Sequence, residues 1–313
     1  MQNNADLIVI LGTGGTIAGT AASAADNVGY TAAQLGVAEL VGAVPLLALR
    51  RLECEQVAQL DSKDMDFATW QQLALRTAAQ LARPEVQGIV ITHGTDTLEE
   101  TAYFLQRVLA PEKPVVITAA MRPTTALQTD GPQNLLDAVV VASDSGATGV
   151  MVVFAGNVHT ATQVRKVHSY RVDAFASADG AKLGVVEEGV TRWLAQGTPV
   201  DAALGLTRIS KPVASWPRVQ IVFNHVGADG AVVQALLAQG VDGLVVAGTG
   251  NGSVSMPLEA ALRAAEASGV RVLRSTRCDA GPVSVSSTAL PSAGALSPVK
   301  ARIALLLDLL DLP

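Results

Sequence analysis

The chain has 313 residues, 49% of them hydrophobic and only 4% aromatic, which exceeds one typical core of ~100–200 residues and predicts one large domain or two unequal ones with aliphatic, β-branched interiors. A formal charge of −6 with six scattered lysines argues against a nucleic-acid binder, because neutralising phosphates takes clustered Lys and Arg. No apolar run approaches the ~18 residues of a membrane span, and the first strand begins near Leu7 without room for a signal peptide, so a cytosolic protein is expected, or a periplasmic one if a leader was removed.

Taken in chain order, short apolar runs alternate with helical patterns. Residues 7–11 read as the first strand. The apolar stretch 40–49 contains Pro45, ends at Arg50-Arg51, and reads as a helix end followed by a buried strand. Trp70, Leu73, Ala74, Thr77 and Leu81 fall on one helical face. Strands follow at 88–92, 115–118 and 150–154. Between them, Thr97-Leu98-Glu99-Glu100 has the spacing of a capping box, so a helix is predicted from Thr97 to about Leu109. Pro132 suits the first turn of another helix ending near Ser143.

The stretch from Arg192 to Arg218 breaks this rhythm with Gly197, Pro199, Pro212 and Pro217, and reads as a linker. Beyond it come a strand at 219–223, a helix over 231–238 stopped by Gly240, and a strand at 243–247. A helix opened by Pro257 and closed by Gly269 follows, then a strand at 270–273. The last helix takes Ser297 as cap, Pro298 in its first turn, and runs through Leu310. Strands alternating with helices predict an α/β fold with parallel sheets. The expected division is a larger N-terminal domain over 1–195, a linker over 196–217 and a smaller C-terminal α/β domain over 218–313.

Two motifs fall at predicted strand ends, where open parallel sheets bind their ligands. Gly12-Thr13-Gly14-Gly15-Thr16-Ile17-Ala18 follows the first strand. Thr92-His93-Gly94-Thr95-Asp96-Thr97 follows the strand at 88–92 and leads into a helix N-terminus, which favours anions. Gly-rich turns after a first strand often bind phosphate, or nothing at all. The dinucleotide fingerprint needs Gly where Ile17 stands, and no GxxxxGK[ST] occurs, which excludes P-loop chemistry.

These segments together resemble the bacterial L-asparaginases, closest in pattern to the type II branch of the asparaginase/glutaminase family. The likeness runs over nearly the whole chain, through Thr13–Ala18, Asp61-Ser62-Lys63-Asp64-Met65, Ile91–Thr101, Ala120-Met121-Arg122-Pro123-Thr124, Asp130–Leu135 and Gly248–Gly252. It implies an amidohydrolase of L-asparagine with L-glutamine as a further substrate, working without a cofactor or metal. It also implies a homotetramer built as a dimer of dimers. Thr16 aligns with the nucleophile, which would form a β-aspartyl ester. Thr95, Asp96 and Lys166 align with the group that activates it, and adjacent Arg165 could lower the Lys166 pKa by repulsion. Taken alone, Lys166 would read as a solvated surface charge. Tyr30 aligns with a lid tyrosine, and the Ala-, Ser- and Gly-rich segment 19–30 would close over the site with Gly29 as hinge. Ser62 and Asp96 match positions that hold the substrate's α-carboxylate and α-ammonium. Backbone N–H groups of Gly15 and Thr95 would form the oxyanion hole. Asn251 matches a residue reached from the neighbouring subunit, although alone it would read as a turn residue with positive φ.

The pattern is broken in two places. Lys63 stands where the family has Gln or Glu beside the substrate ammonium, and would repel that ammonium unless it pairs with Asp61 or Asp64. A family Glu is expected within 280–295, where this chain has no acid; Asp279 only precedes the stretch. Both changes remove negative charge, so a raised Michaelis constant for asparagine or a shifted amide preference is expected. An amidase for another amide, a binding protein that has lost turnover, and a nucleotide-dependent oxidoreductase are the competing readings, the last weakened by Ile17. His93, His159, His168 and His225 are dispersed without HExxH, no G-x-S-x-G elbow occurs, and Cys54 and Cys278 read as small buried hydrophobes rather than a disulfide framework.

Overall fold

The computed structural model describes residues 6–180, 182–195, 202–284 and 290–311. The chain divides into two compact units, Met1–Leu206 and Thr207–Pro313. Of the predicted linker, residues 196–201 lie outside the described residues, and the remainder carries short 3-10 turns at Leu206–Ile209 and Val213–Ser215.

The first unit is built on β1 (Leu7–Gly14), α1 (Val37–Gly42), β2 (Leu52–Leu60), α2 (Phe67–Leu81), β3 (Val86–Thr92), α3 (Leu98–Leu109), β4 (Val115–Thr118), α4 (Gly131–Ala142) and β5 (Val150–Phe154). Short strands then follow: β6 (Asn157–Thr160), β7 (Val164–Lys166), β8 (Phe175–Ser177), β9 (Gly184–Glu187) and β10 (Val190–Trp193). The main sheet has eight strands in the order β10-β9-β6-β5-β4-β3-β1-β2. Strands β2, β1, β3, β4 and β5 pair in parallel, whereas β6, β9 and β10 extend the sheet antiparallel. The parallel reading therefore holds for the centre of the sheet, and the antiparallel extension is a correction to it. β7 and β8 form a separate two-stranded ribbon.

All eight residues of β1 are buried. Ile8, Ile10, Val90 and Val116 turn one face toward Leu135, Ala138 and Val139 of α4 and Val37 and Leu40 of α1. Each fully buried aliphatic side chain of this size is worth about 1.5–3 kcal/mol. On α2, Trp70, Leu73, Ala74 and Thr77 are buried as the helical spacing requires, with the Trp70 ring stacked 4.7 Å from that of Phe104 on α3. The edge strand β2 is guarded by charge, as exposed edges need to be: Glu55 pairs with Arg76 at 2.5 Å and Glu53 with Arg83 at 2.9 Å.

Three local expectations are corrected. Stretch 40–49 holds the end of α1 and a 3-10 turn at Pro45–Leu49, not a strand; Pro45 sets the turn, and only Leu47 of that turn is buried. Thr97 is the N-cap residue of α3 but closes no capping box, because its hydroxyl donates to the Ser62 carbonyl at 2.8 Å. Cys54 is half-buried but Cys278 is exposed.

The second unit contains β11 (Val219–Phe223), α5 (Ala231–Ala238), β12 (Gly243–Gly248), α6 (Met256–Ala267), β13 (Arg271–Thr276) and α7 (Pro298–Leu309). Its three strands are parallel in the order β11-β12-β13, around a core that includes Val222, Leu244, Val246, Leu258 and Leu262. Ser297 caps α7 by accepting the Lys300 N–H, and Pro298 fills the first turn. The protein is thus α/β in both units. Among the described residues no helix is long and apolar enough to cross a membrane.

Candidate active site

The order β2-β1-β3-β4-β5 places a switch point between β1 and β3, since the chain leaves β1 toward one edge and β3 toward the other. Loops at the carboxyl ends of these two strands must diverge, and the crevice between them is where open α/β sheets hold ligands. In the β1/β3 register Gly12 stands opposite Thr92, so the two threonine-bearing motifs emerge side by side.

Glycine makes their approach possible. Gly15 has φ 81°, and a Cβ there would lie 2.3 Å from Gly94 Cα. A Cβ on Gly94 would in turn lie 2.4 Å from Ser62 Oγ. The segments after β1 and β3 therefore meet backbone to backbone, and the Ser62 side chain, from the segment after β2, packs directly on Gly94. The two threonines of the first motif divide their work. Thr13 Oγ1 donates to the Thr92 carbonyl at 3.0 Å and ties the strands together. Thr16 is 6% exposed, and its hydroxyl lies 2.7 Å from the Tyr30 hydroxyl.

Tyr30 is carried by the 19–30 segment, which is closed at its base by reciprocal Thr20 and Thr31 backbone bonds of 3.0 and 2.9 Å. A strap after β4 holds it down: Thr124 Oγ1 donates to the Ile17 carbonyl and the Leu127 N–H to the Ala24 carbonyl. Gly29 lies in a turn in which the Asp26 carboxylate accepts the Val28 and Gly29 N–H groups, and these bonds hold the Asp26 pKa below its ordinary value.

On the second motif, Lys166 Nζ donates to Thr95 Oγ1 at 2.9 Å and to Asp96 Oδ1 at 2.6 Å. The Lys166 side chain is only 19% exposed, so it is not the solvated charge its sequence surroundings imply. The Asp96 N–H donates to Ser62 Oγ at 3.1 Å, which fixes Ser62 beneath the site. Lys63 pairs with Asp61 at 2.6 Å; the carboxylates of Asp61, Asp64 and Asp96 raise its pKa, Asp61 foremost. The Gly15 N–H donates to the Leu60 carbonyl and is thereby occupied, which corrects its assignment as an oxyanion donor.

His93 is a buried support that residue spacing did not single out. Its Nδ1 lies 2.7 Å from the Gly94 carbonyl and its Nε2 3.0 Å from Thr101 Oγ1, which accepts from Trp70 Nε1 at 2.8 Å. A carbonyl can only accept, so the proton sits on Nδ1 and the Thr101 hydroxyl donates to Nε2. Burial lowers the His93 pKa to about 4, which keeps the ring neutral and this chain of bonds one-directional. Glu99, read only as part of a cap, accepts the Lys166 backbone N–H at 3.1 Å. The one available signal was its position in the same helical turn that follows Asp96.

Asn251 belongs to the second unit, where its Oδ1 accepts the Ser284 N–H at 2.8 Å. The positive φ of that turn falls on Gly250 and Gly252, not on Asn251. In the 280–295 stretch, residues 285–289 lie outside the described residues.

Known proteins resemble the chain over most of its length. Residues 7–198 match the model of the asparaginase N-terminal domain, and residues 218–310 that of the glutaminase/asparaginase C-terminal domain. The chain is 38% identical to a glutaminase-asparaginase of Pseudomonas fluorescens, over 95% of this chain and 84% of that one. It is 37% identical to L-asparaginase 2 of Escherichia coli, over 96% and 88%. The structure of a probable cytoplasmic L-asparaginase from Campylobacter jejuni superposes with a TM-score of 0.92 at 38% identity, covering 98% of this chain and 96% of the other. The chain belongs to the asparaginase family of amidohydrolases.

Proposed function

We propose that this protein hydrolyses the side-chain amide of L-asparagine to L-aspartate and ammonia, with Thr16 as nucleophile. The observation that carries this reading is the gathering of two hydroxyl centres at one switch point: Thr16 against Tyr30, and Thr95 against Lys166 and Asp96. The Thr16 oxygen attacks the amide carbon, its proton passes to the leaving nitrogen, and ammonia departs from a β-aspartyl ester. Water then cleaves the ester and restores the hydroxyl. The Thr95–Lys166–Asp96 chain is suited to moving the protons, since its groups already share hydrogen bonds. With Gly15 occupied, the Thr16 and Thr95 N–H groups are the oxyanion donors of this scheme, a role worth about 3 kcal/mol per donor. Ser62 and Asp96 hold the α-carboxylate and α-ammonium, and Asn251 of a neighbouring copy completes the site within a dimer of dimers.

Ammonia release from asparagine by the wild type and by Thr16→Ala tests the scheme. Loss of at least about four orders of magnitude in kcat is expected, as for the removal of a covalent nucleophile; comparable rates would remove Thr16 from the role. Glutamine is the second reading, favoured by the name and similarity of the Pseudomonas relative. Rates over a panel of linear amides decide between them. The Campylobacter enzyme's name favours a cytosolic location here as well.

A further inference from the structure

Lys166 is the last residue of β7, a strand of three residues that, among the described residues, pairs only with β8. In the antiparallel ladder Lys166 stands opposite Phe175, and the neighbouring Val167 N–H donates to the Ala174 carbonyl at 2.8 Å. Hydrogen-bonded and non-bonded pairs alternate along such a ladder, so the Lys166 N–H points outward from the ribbon. An outward N–H on a half-buried strand needs a partner. Here the partner is a side chain: Glu99 Oε1 accepts it at 3.1 Å.

Glu99 lies in the first turn of α3, where the helix dipole favours a negative charge. Thr95 and Asp96, which receive the Lys166 ammonium, immediately precede that turn. One helix start therefore grips Lys166 at both ends, the backbone N–H through Glu99 and Nζ through Thr95 and Asp96. Without the first grip, a lysine at the end of a three-residue strand has its long side chain free to leave Thr95.

We infer that Glu99 is a positioning residue: it takes no part in the chemistry but fixes the β7 backbone so that Lys166 Nζ stays on Thr95. This rests on the asparaginase reading above only for its kinetic consequence. Displacement of a catalytic group by about 1 Å can lower a rate about 100-fold, so Glu99→Ala is expected to lower kcat for asparagine by about 10- to 100-fold with KM nearly unchanged. Glu99→Gln keeps an acceptor oxygen and is expected to stay within about threefold of the wild type, since a neutral acceptor still satisfies the N–H.

The experiment measures kcat, KM and melting temperature of both variants in the full chain, with crystal structures of the wild type and Glu99→Ala. The inference predicts a kcat loss in the alanine variant alone, rescue by glutamine, similar melting temperatures and a longer Thr95–Lys166 distance. A Glu99→Ala enzyme with wild-type kcat, or with Lys166 unmoved, overturns it. So does an equal loss in both variants accompanied by a common fall in melting temperature, which marks a merely structural role. A wild type silent on every amide would end the functional reading instead, and the Thr95–Lys166 distance would still decide the placement claim.

Discussion

Two threonines three residues apart in one glycine-rich loop have different fates, and the partner each hydroxyl meets decides them. Thr13 donates to a carbonyl and is committed to the fold. Thr16 meets another hydroxyl, with which the donor role can be exchanged. A similar contrast separates the lysines. Lys166 is drawn inward onto Thr95 and Asp96, while Lys63 keeps its side chain 63% exposed and pairs with Asp61. That exposed pair is worth little, so it only partly quenches a cation next to the site. Replacing Lys63 with Gln is therefore expected to lower KM for asparagine several-fold with kcat unchanged, by removing repulsion from the substrate ammonium. Steady-state kinetics check this, and an unchanged KM would mean that Asp61 already silences the charge.

At the scale of elements, the site depends on how closely the ends of β1 and β3 can approach. Gly15 has no room for a methyl group, because the neighbouring atoms belong to the Gly94 and His93 backbones rather than to a side chain that could swing away. Its φ of 81° adds strain for any other residue. Gly15→Ala is expected to destabilise the protein by roughly 3 kcal/mol and to abolish turnover, because the two loops must separate. Denaturant unfolding and ammonia release would show both effects; a folded, active variant would mean the junction is more pliant than its geometry.

Much of this layer was legible in the residues. The apolar runs at 115–118 and 150–154 coincide with observed strands, because strands buried on both faces must be apolar throughout; the strand at 219–223 and the helix over 231–238 coincide with observed elements as well. β2 was not legible: Leu-Glu-Cys-Glu-Gln-Val-Ala-Gln-Leu mixes charge into an edge strand with little burial. The short strands β6 to β10 escaped for a related reason. They draw their stability from antiparallel partners rather than from a hydrophobic run. Among the candidate site residues, motif order pointed to Thr16, Thr95 and Asp96, whereas the Glu99 contact and the His93–Thr101–Trp70 chain depend on distances that only the folded chain creates.

For the molecule as a whole, buried His93 links stability to pH. Its folded pKa of about 4 lies below the ordinary 6.5, so the unfolded chain takes up a proton that the folded chain refuses. Stability present above pH 6.5 is therefore lost as pH falls toward 4, by about 3 kcal/mol at about 1.4 kcal/mol per pH unit. Asp130 and Asp137 act in the opposite sense, because burial raises their pKa values; their contribution grows as they become protonated in acid. Unfolding curves between pH 4 and 7 should thus flatten in His93→Gln relative to the wild type. Parallel curves would show that other groups govern the slope.

Whether the candidate site performs the proposed reaction is decided by whether a covalent bond forms at Thr16. Wild-type protein would be mixed with asparagine, quenched in acid within its first turnovers, digested and read by mass spectrometry. The expected result is a peptide containing Thr16 heavier by one aspartyl group and absent from Thr16→Ala. An adduct on Thr95 or any other residue, or fast ammonia release with no adduct anywhere, would contradict the account.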